Sequence, residues 1–357
     1  MVQRHQHFDS IDGALKLLRA ELRRNPFFPN IEEHEYQWLA EGERGLLVPT
    51  LVYPFLYRGQ TERHQPCRPQ VFRDVQLVDH PQRLPTADRA RLLLRKVRLE
   101  EFLTVLDSHP ASAFARDLPL VTYPEAIAQH YEVPTDRIDL SQDLDVAAFF
   151  ATNRRGSDGR WDAIEEGTGV LYRLGIPSGV FAPPFKGFEW IGRQALPRPG
   201  EQRAWTLCLP LGRDFESLPV DIFTFVHDRD CGRRFLEKYD AGRALFPPDV
   251  LSALADQVKN APTVPRAMLR RVLTGYGLPA ELHESQMQAI ETRFNSDCGA
   301  SVDDRDVLAF SPEQRAIAHA SVAALTEDFK GTVRAVRAAR PWSSADGLCD
   351  VVARSRT

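Results

Sequence analysis

Four short polar segments of the chain hold the residue types that could bind a ligand or carry out catalysis: 57–60, 129–135, 139–141 and 201–202. Each lies beside an apolar stretch, so each is expected near the end of a strand or helix, where a fold brings separate segments together. We interpret the first segment as one wall of a cleft and the next two as the opposite wall. The fourth is the candidate third wall.

The first segment places Arg58 and Gly59 at the end of a short predicted strand, 54–57. An arginine there can present its planar guanidinium to a phosphate or a carboxylate, and the glycine lets a ligand approach the backbone. Tyr57 and Gln60 flank the pair and are candidate binding residues with it. The ordinary alternative is a surface arginine in a turn.

The second segment ends a predicted helix with His130 and Tyr131, shortly before Thr135. The histidine could act as an acid or base, and the tyrosine could stack on an aromatic base. Thr135 is grouped with them as a candidate binding residue. Each has a structural alternative, because a lone histidine often caps a helix or fills a core, and a tyrosine can also be core.

Asp139 and Ser141 flank the junction between a predicted strand, 137–140, and a predicted helix, 142–152. The start of a helix favours a phosphate or a developing negative charge, because its free N–H groups point there. The alternative is that Ser141 only caps the helix and that Asp139 is buried and hydrogen-bonded.

Glu201 and Gln202 precede a predicted strand, 204–211, and either side chain could orient a sugar hydroxyl. The sequence contains no GxxxxGK[ST], GxGxxG, HExxH or GxSxG motif, which excludes the corresponding nucleotide-binding and hydrolase templates. The ten histidines are dispersed and the five cysteines show no CxxC spacing, so no metal site is expected.

Charge and composition narrow the class of protein. A formal net charge of −4 over 357 residues gives no electrostatic basis for indiscriminate nucleic-acid binding. No apolar run approaches the length of a membrane span, and the N-terminus lacks the basic and apolar segments of a signal peptide. Together with the scattered cysteines, these features predict a protein of the reducing cytoplasm with no membrane partner.

The order of the predicted elements indicates the fold class. Short strands interrupted by helices precede a helical C-terminal third, which predicts an α+β domain with a helical extension. The predicted division is a helical lead-in at 1–45, the α+β domain at 46–260 and a helical appendage at 261–357. The predicted strands are 54–57, 137–140, 169–174, 204–211 and 220–226, and the predicted helices are 9–24, 86–106, 124–130, 142–152, 228–240, 247–260, 263–275, 279–295 and 311–339.

Taken together, these segments resemble the FRG domain, a prokaryotic domain named for its [FY]-R-G motif. Residues 57–59 match that motif, and residues 126–141 (AIAQHYEVPTDRIDLS) are similar to the longer signature A-x-A-Q-H-Y-G-x-P-T-x-x-x-D-x-[ST]. Residues 198–205 resemble a later strand of the family. The resemblance covers about residues 45–260, with Glu132 standing where glycine is usual.

FRG domains in turn resemble distant relatives of ADP-ribosyltransferases. This implies a core with a split mixed or antiparallel sheet, inserted helices and NAD as the substrate, with no metal. By this resemblance the NAD-binding residues are Tyr57, Arg58, Gly59, Gln60, Tyr131, Thr135, Asp139 and Ser141. The catalytic group is expected from Glu201 or Gln202, with His130 as a further candidate. The weakest correspondence is this third element.

The implied activity is transfer of ADP-ribose to a macromolecular acceptor, or hydrolysis of NAD. The implied context is a toxin–antitoxin or anti-phage effector, with an antitoxin or regulatory protein as a partner and an acceptor that is protein, nucleic acid or water. The alternative is a non-catalytic nucleotide- or partner-binding module that uses helices 263–339 as its interaction surface. A nucleic-acid enzyme would need a basic groove; Arg266, Arg270 and Arg271 fit better as a solvated helix face.

Overall fold

The computed structural model describes residues 3–24, 36–41, 44–49, 55–175, 187–276 and 280–334. The strands in these ranges are β1 (His5–Phe8), β2 (Tyr36–Glu41), β3 (Arg44–Pro49), β4 (Phe55–Gln60), β5 (Arg137–Ser141), β6 (Asn153–Arg155), β7 (Trp161–Ala163), β8 (Thr168–Gly175), β9 (Phe188–Trp190), β10 (Ala204–Cys208), β11 (Val220–Val226), β12 (Thr263–Pro265), β13 (Ser301–Asp303) and β14 (Val333–Arg334). The helices are α1 (Ile11–Arg24), α2 (Thr86–Asp107), α3 (Pro110–Asp117), α4 (Pro124–His130), α5 (Leu144–Thr152), α6 (Pro197–Glu201), α7 (Arg229–Lys238), α8 (Val250–Asn260), α9 (Arg266–Gly275), α10 (Ala280–Cys298) and α11 (Pro312–Thr332). None of these helices is long and apolar enough to cross a membrane.

One mixed sheet of seven strands forms the centre of the fold, in the order β1-β11-β8-β4-β5-β10-β9. β1 runs parallel to β11, and the other neighbouring pairs of this sheet are antiparallel. Smaller sheets join β14, β2 and β3, β6 with β7, and β12 with β13. The predicted α+β class and the predicted mixed sheet are therefore confirmed.

Helix α5 follows β5 directly and packs against β4. It is apolar on nearly all sides, and seven of its nine residues are buried. A helix without a polar face has to lie inside the fold, and the complete burial of Phe149 alone contributes about 2–3 kcal/mol. The prediction that helix 142–152 is central is confirmed.

Strand β4 extends further than the predicted strand 54–57, whose first residue lies outside the described ranges. All six residues of β4 pair with β8. Arg58 and Gly59 therefore lie within a strand and not at its end. The predicted boundary was wrong because the hydrogen bonds to β8 carry the ladder past the glycine, which the local sequence does not reveal.

The N-terminal residues share the core of the sheet. Helix α1 agrees with the predicted helix 9–24, and its Ile11, Leu15 and Leu18 are buried in the same cluster as α5. β1, which precedes α1, pairs with β11 in the main sheet. β1 and α1, both within the predicted lead-in 1–45, thus contribute to the central sheet and its core. β1 was missed because its residues, HQHF, are mostly exposed and show no apolar alternation.

The C-terminal helices are joined to the rest of the chain through α2. Helices α9 and α10 share a buried apolar cluster with α2. In addition, Arg305 donates hydrogen bonds to both carboxylate oxygens of Glu101 on α2, at 2.7 and 3.0 Å, and Glu101 has no exposed surface. The helical appendage predicted at 261–357 is therefore packed against the domain as far as its described residues go.

Candidate functional site

The central sheet splits between β4 and β5. In the described register these strands share one residue pair, Tyr57 opposite Ser141, although β4 continues for three more residues. Beyond that pair the Arg58 side chain takes the place of a ladder bond, because its Nη1 donates to the carbonyl oxygen of Asp139 at 2.8 Å. The split leaves room for side chains of both strands around one opening.

A cavity of about 170 Å³ lies at this split. Seven of the eleven predicted site residues line it, so the structure brings the two predicted walls of the cleft together. The lining residues are Tyr57, Arg58, Gly59, His130, Asp139, Leu140, Ser141, Val146, Ala147, Phe150 and Gln202. The predicted residues that do not line it are Gln60, Tyr131, Thr135 and Glu201.

Arg58 supplies positive charge to the cavity. Among the described residues no carboxylate lies within ion-pair distance of its guanidinium, and its Nε is buried without a hydrogen-bond partner. Partial burial lowers the pKa of the nearby Arg73, and the charge of Arg58 lowers it further. Asp139 acts on the pKa of Arg73 in the opposite direction. The Arg58 charge, which has no ion pair among the described residues, favours an anion at this place.

Asp139 supplies the negative group. Its Oδ2 accepts a hydrogen bond from Gln129 Nε2 at 3.3 Å, and the side-chain Oε1 of Gln129 in turn accepts one from Thr135 Oγ1 at 2.6 Å. Thr135 is buried, so it orients Gln129 and through it Asp139, instead of contacting the cavity. The second carboxylate oxygen, Oδ1, is buried without a partner among the described residues.

His130 supplies the third polar group. Its Nδ1 lies 2.9 Å from Oε1 of Gln202, and its Nε2 is buried without a hydrogen-bond partner among the described residues. Burial lowers the pKa of His130; the nearby Arg198 lowers it further, while Asp139 and Gln202 act in the opposite direction. His130 is therefore neutral at pH 7.

A comparison with protein families matches the segment that supplies most of the residues lining this cavity. Residues 53–159 match the family model of the FRG domain. The chain contains an FRG domain. The FRG match includes β4, α4, β5 and α5, and it ends before Gln202. Searches of curated proteins and of solved structures gave no match.

The glycine of the FRG motif has a packing role in this structure. A Cβ atom added to Gly59 would lie 1.8 Å from the carbonyl oxygen of Ala147 and 2.8 Å from the amide nitrogen of Ala151, both on α5. The absence of a side chain thus makes room for the backbone of α5. This differs from the sequence interpretation, in which the glycine made room for a ligand.

Ser141 connects β5 to the segment that carries Gln202. Its hydroxyl donates to the carbonyl oxygen of Gln202 at 2.8 Å and accepts from the backbone N–H of Asp143 at 2.9 Å. The N-cap of α5 is Asp143, whose carboxylate accepts from the N–H groups of the first turn. The N-cap of the helix is therefore Asp143 and not Ser141, because the helix begins at Leu144 and not at residue 142 as predicted.

Three of the remaining predicted residues lie away from the cavity. Tyr131 is buried, packs under Arg198 at 4.3 Å from the ring centre, and donates to Asp249 at 2.5 Å. Gln60 accepts from Cys67 Sγ at 3.6 Å. Glu201 is exposed at the end of α6. Tyr131 is therefore a core residue, and the structure does not bring Glu201 to the FRG cleft.

Two supporting residues of the cleft were not predicted. Arg198 is buried and donates to the carbonyl oxygen of His130 at 3.1 Å. Leu245 accepts a hydrogen bond from Gln202 Nε2 at 2.9 Å through its carbonyl oxygen. A backbone acceptor leaves no signal in the sequence. The arginine could have been found as a basic residue four positions before Gln202, since α6 places it over the end of α4.

Glu132 occupies a position at which the FRG signature has glycine, and its backbone explains that preference. Its φ is 62°, a left-handed conformation that costs a side-chain-bearing residue roughly 1 kcal/mol relative to glycine. Its carboxylate pairs with Arg155 at 2.8 Å and Lys259 at 3.2 Å. Although burial raises the pKa of Glu132, these two cations hold it below the usual value.

We therefore expect Glu132→Gly to be more stable than Glu132→Ala by about 1 kcal/mol. Both variants lose the two ion pairs, so their difference isolates the backbone strain. Chemical denaturation of the two variants side by side measures it. Equal midpoints at equal slopes would contradict a strained backbone. The ion pairs should add stability above pH 4.5 and lose it as the pH falls through the lowered pKa of Glu132.

Proposed function

We propose that the FRG domain of this chain binds NAD in the cleft between β4 and β5 and acts on its nicotinamide–ribose bond. The observation that carries the proposal is the split of the sheet, where Arg58 and Asp139 line one cavity. Oδ1 of Asp139 has no hydrogen-bond partner among the described residues. A cation and a carboxylate at one opening match a substrate that has a pyrophosphate on one side and a cationic ring on the other.

The proposed chemistry assigns one role to each charged group. The bond between the nicotinamide nitrogen and the ribose carbon breaks, and nicotinamide leaves with the electron pair. The ribose then carries oxocarbenium character, which the carboxylate of Asp139 stabilises, while Arg58 holds the pyrophosphate. Water, or an acceptor hydroxyl or amine, attacks the same carbon and releases its proton to solvent; an acceptor carboxylate attacks without losing a proton.

The size of the cavity limits what it encloses. Whole-ligand pockets usually measure roughly 300–1,000 Å³, and this cavity measures about 170 Å³. It has room for one part of a dinucleotide, such as the ribose beside the scissile bond. The rest of NAD would lie across the surface, with Phe150 as an apolar wall.

The position of the carboxylate differs from the sequence expectation. Glu201 is exposed and outside the cavity, whereas Gln202 lies in it and has no negative charge. Asp139 is the one carboxylate among the described lining residues, and we assign it the role first expected of Glu201. The split sheet also supports an ADP-ribosyltransferase-like fold as part of this proposal.

Substitution of the two charged residues tests the activity. We expect Arg58→Ala to abolish nicotinamide release from NAD, and Asp139→Asn to slow it by about 10²–10³-fold, because the asparagine keeps the shape but removes the charge. Chromatography of nicotinamide after incubation with labelled NAD and cell lysate measures both. Arg160→Ala, at an arginine with 86% side-chain exposure, is the matched control and should keep full activity.

The second candidate function is nucleotide binding without turnover. It is favoured by Gln202, an amide in the part of the cleft where a glutamate was expected. Retained binding of ADP-ribose with no nicotinamide release under any condition would select this function over catalysis. We propose an effector role in toxin–antitoxin or anti-phage systems, with an antitoxin or regulatory partner, only for the catalytic function and not for nucleotide binding without turnover.

A further inference from the structure

A chain of two hydrogen bonds connects the cleft to a backbone carbonyl group. Gln202 Nε2 donates to the carbonyl oxygen of Leu245 at 2.9 Å, and Gln202 Oε1 lies 2.9 Å from Nδ1 of His130. Gln202 is 6% exposed and His130 is 4% exposed, so solvent does not compete for these bonds. Both ends of the Gln202 amide therefore have a protein partner, which fixes the orientation of the amide.

This chain fixes the tautomer of His130. A carbonyl oxygen only accepts hydrogen bonds, so the NH₂ group of Gln202 has to face Leu245. Its Oε1 then faces His130 and also only accepts, so the proton of the neutral imidazole sits on Nδ1. The other nitrogen, Nε2, carries a lone pair and is an acceptor.

Two other buried histidines have the opposite arrangement. Nε2 of His227 donates to the carbonyl oxygen of Thr61 at 2.7 Å. Nδ1 of His109 accepts from the backbone N–H of Ala111 at 3.0 Å, so its proton is on Nε2. His130 thus differs from these two in presenting an unprotonated Nε2.

The unprotonated Nε2 of His130 has no donor among the described residues. A buried acceptor left without a hydrogen bond costs roughly 1–3 kcal/mol. Nδ1 of His227 also has no partner among the described residues, but His227 does not line the cavity, whereas His130 does. Asp139 Oδ1 is a second such acceptor, also on a residue that lines the cavity. Two acceptors beside one cavity suit a ligand that brings two donors.

We propose that Gln202 is a positioning residue that holds His130 Nε2 as an acceptor for a ribose hydroxyl of the ligand, with Asp139 Oδ1 as the acceptor for the neighbouring hydroxyl. This inference rests on the proposed function and names the part of the nucleotide that the cavity takes. It also makes the pH dependence of binding a property of His130, since a protonated imidazole would turn Nε2 into a donor.

The charges around His130 set the direction of that dependence. Burial and Arg198 on α6 lower its pKa, while Asp139 on β5 and the hydrogen bond to Gln202 raise it. With the net pKa below 6.5, binding should be intact at pH 7 and should weaken as the pH falls through the lowered value. A carboxylate in place of the Gln202 amide would raise that pKa and move the loss to higher pH.

Nuclear magnetic resonance of ¹⁵N-histidine-labelled full-length protein tests the tautomer, and titration with ADP-ribose from pH 5 to pH 9 tests the ligand role. In the wild type we expect His130 to show a protonated Nδ1 and a free Nε2, with His109 and His227 showing the reverse in the same spectrum. ADP-ribose should shift the His130 signals. Gln202→Glu should lower affinity at least tenfold at pH 7 and recover most of it at pH 9.

The remaining arms separate the possible failures. Gln202→Leu removes the positioning without adding charge and also removes the hydrogen bond that raises the pKa of His130, so it should weaken binding and move the pH midpoint lower, opposite to Gln202→Glu. His109→Gln is the control and should bind normally. Binding of ADP-ribose with unchanged His130 signals, or a His130 proton on Nε2, overturns the positioning role and leaves the proposed function standing. Absence of ADP-ribose binding by the wild type at every pH overturns the proposed function and the ligand role together.

Discussion

Gly59→Ala should unfold the domain or destabilise it by more than about 3 kcal/mol. The added methyl group would meet the backbone of α5, with the carbonyl oxygen of Ala147 only 1.8 Å away. A backbone atom cannot rotate away as a flexible side chain does, so β4 and α5 would have to separate. That movement would open the core and displace the cleft wall. Thermal and urea denaturation, monitored by circular dichroism, measure the loss.

A second glycine provides the matched control. A Cβ atom at Gly275, the last residue of α9, would meet nothing within 4 Å. Gly275→Ala should therefore be neutral or slightly stabilising, because alanine favours a helix by up to about 1 kcal/mol. If Gly59→Ala were as stable as Gly275→Ala, the close approach of β4 and α5 would be refuted.

Arg305→Ala should destabilise the protein by about 3–5 kcal/mol, the second large effect. Arg305 holds both oxygens of Glu101, which has no exposed surface, and Glu101 also accepts from the backbone N–H of Leu308 at 3.2 Å. Removal of the arginine would leave a buried carboxylate without its countercharge. The free energy of unfolding from urea titration gives the magnitude.

Two further variants test whether the loss of stability comes from the burial of the ion pair. Arg83→Ala breaks an ion pair with Asp79 in which both side chains are more than 70% exposed, and it should cost less than about 1 kcal/mol. Adding Glu101→Gln to Arg305→Ala removes the unpaired charge and should restore part of the lost stability. Equal effects of Arg83→Ala and Arg305→Ala would contradict a buried pair.

The elements with strong local patterns could be predicted from the sequence. The mostly apolar segment 142–152 predicted a central helix, which the structure contains as α5 at Leu144–Thr152. The stripe of leucines in 9–24 likewise predicts α1. The FRG signature brought together Arg58, His130, Asp139 and Ser141, which then line one cavity. These predictions depend on local apolar patterns or on a long motif, and both can be recognised in the sequence.

The parts that could not be predicted depend on distant partners. β1 is a strand because β11 pairs with it, and the β6–β7 hairpin lies in a stretch that reads as a polar linker. α3 was also missed between the predicted helices 86–106 and 124–130. At the end of α6, Gln202 is buried and lines the cavity, whereas the adjacent Glu201 is exposed. The local sequence does not reveal which of these two neighbouring side chains faces the cavity.

The length of the FRG match has a consequence for how this chain can be truncated or fused. Residues 53–159 contain only β4 and β5 of the seven strands in the central sheet, and these two share one residue pair. The strands that hold them in place, β8 and β10, come later in the chain, as do Gln202 and Arg198. The matched segment is therefore a recognisable signature and not a transplantable folding unit. Fusions or truncations designed around it should keep the chain at least through Leu245, whose carbonyl group anchors Gln202.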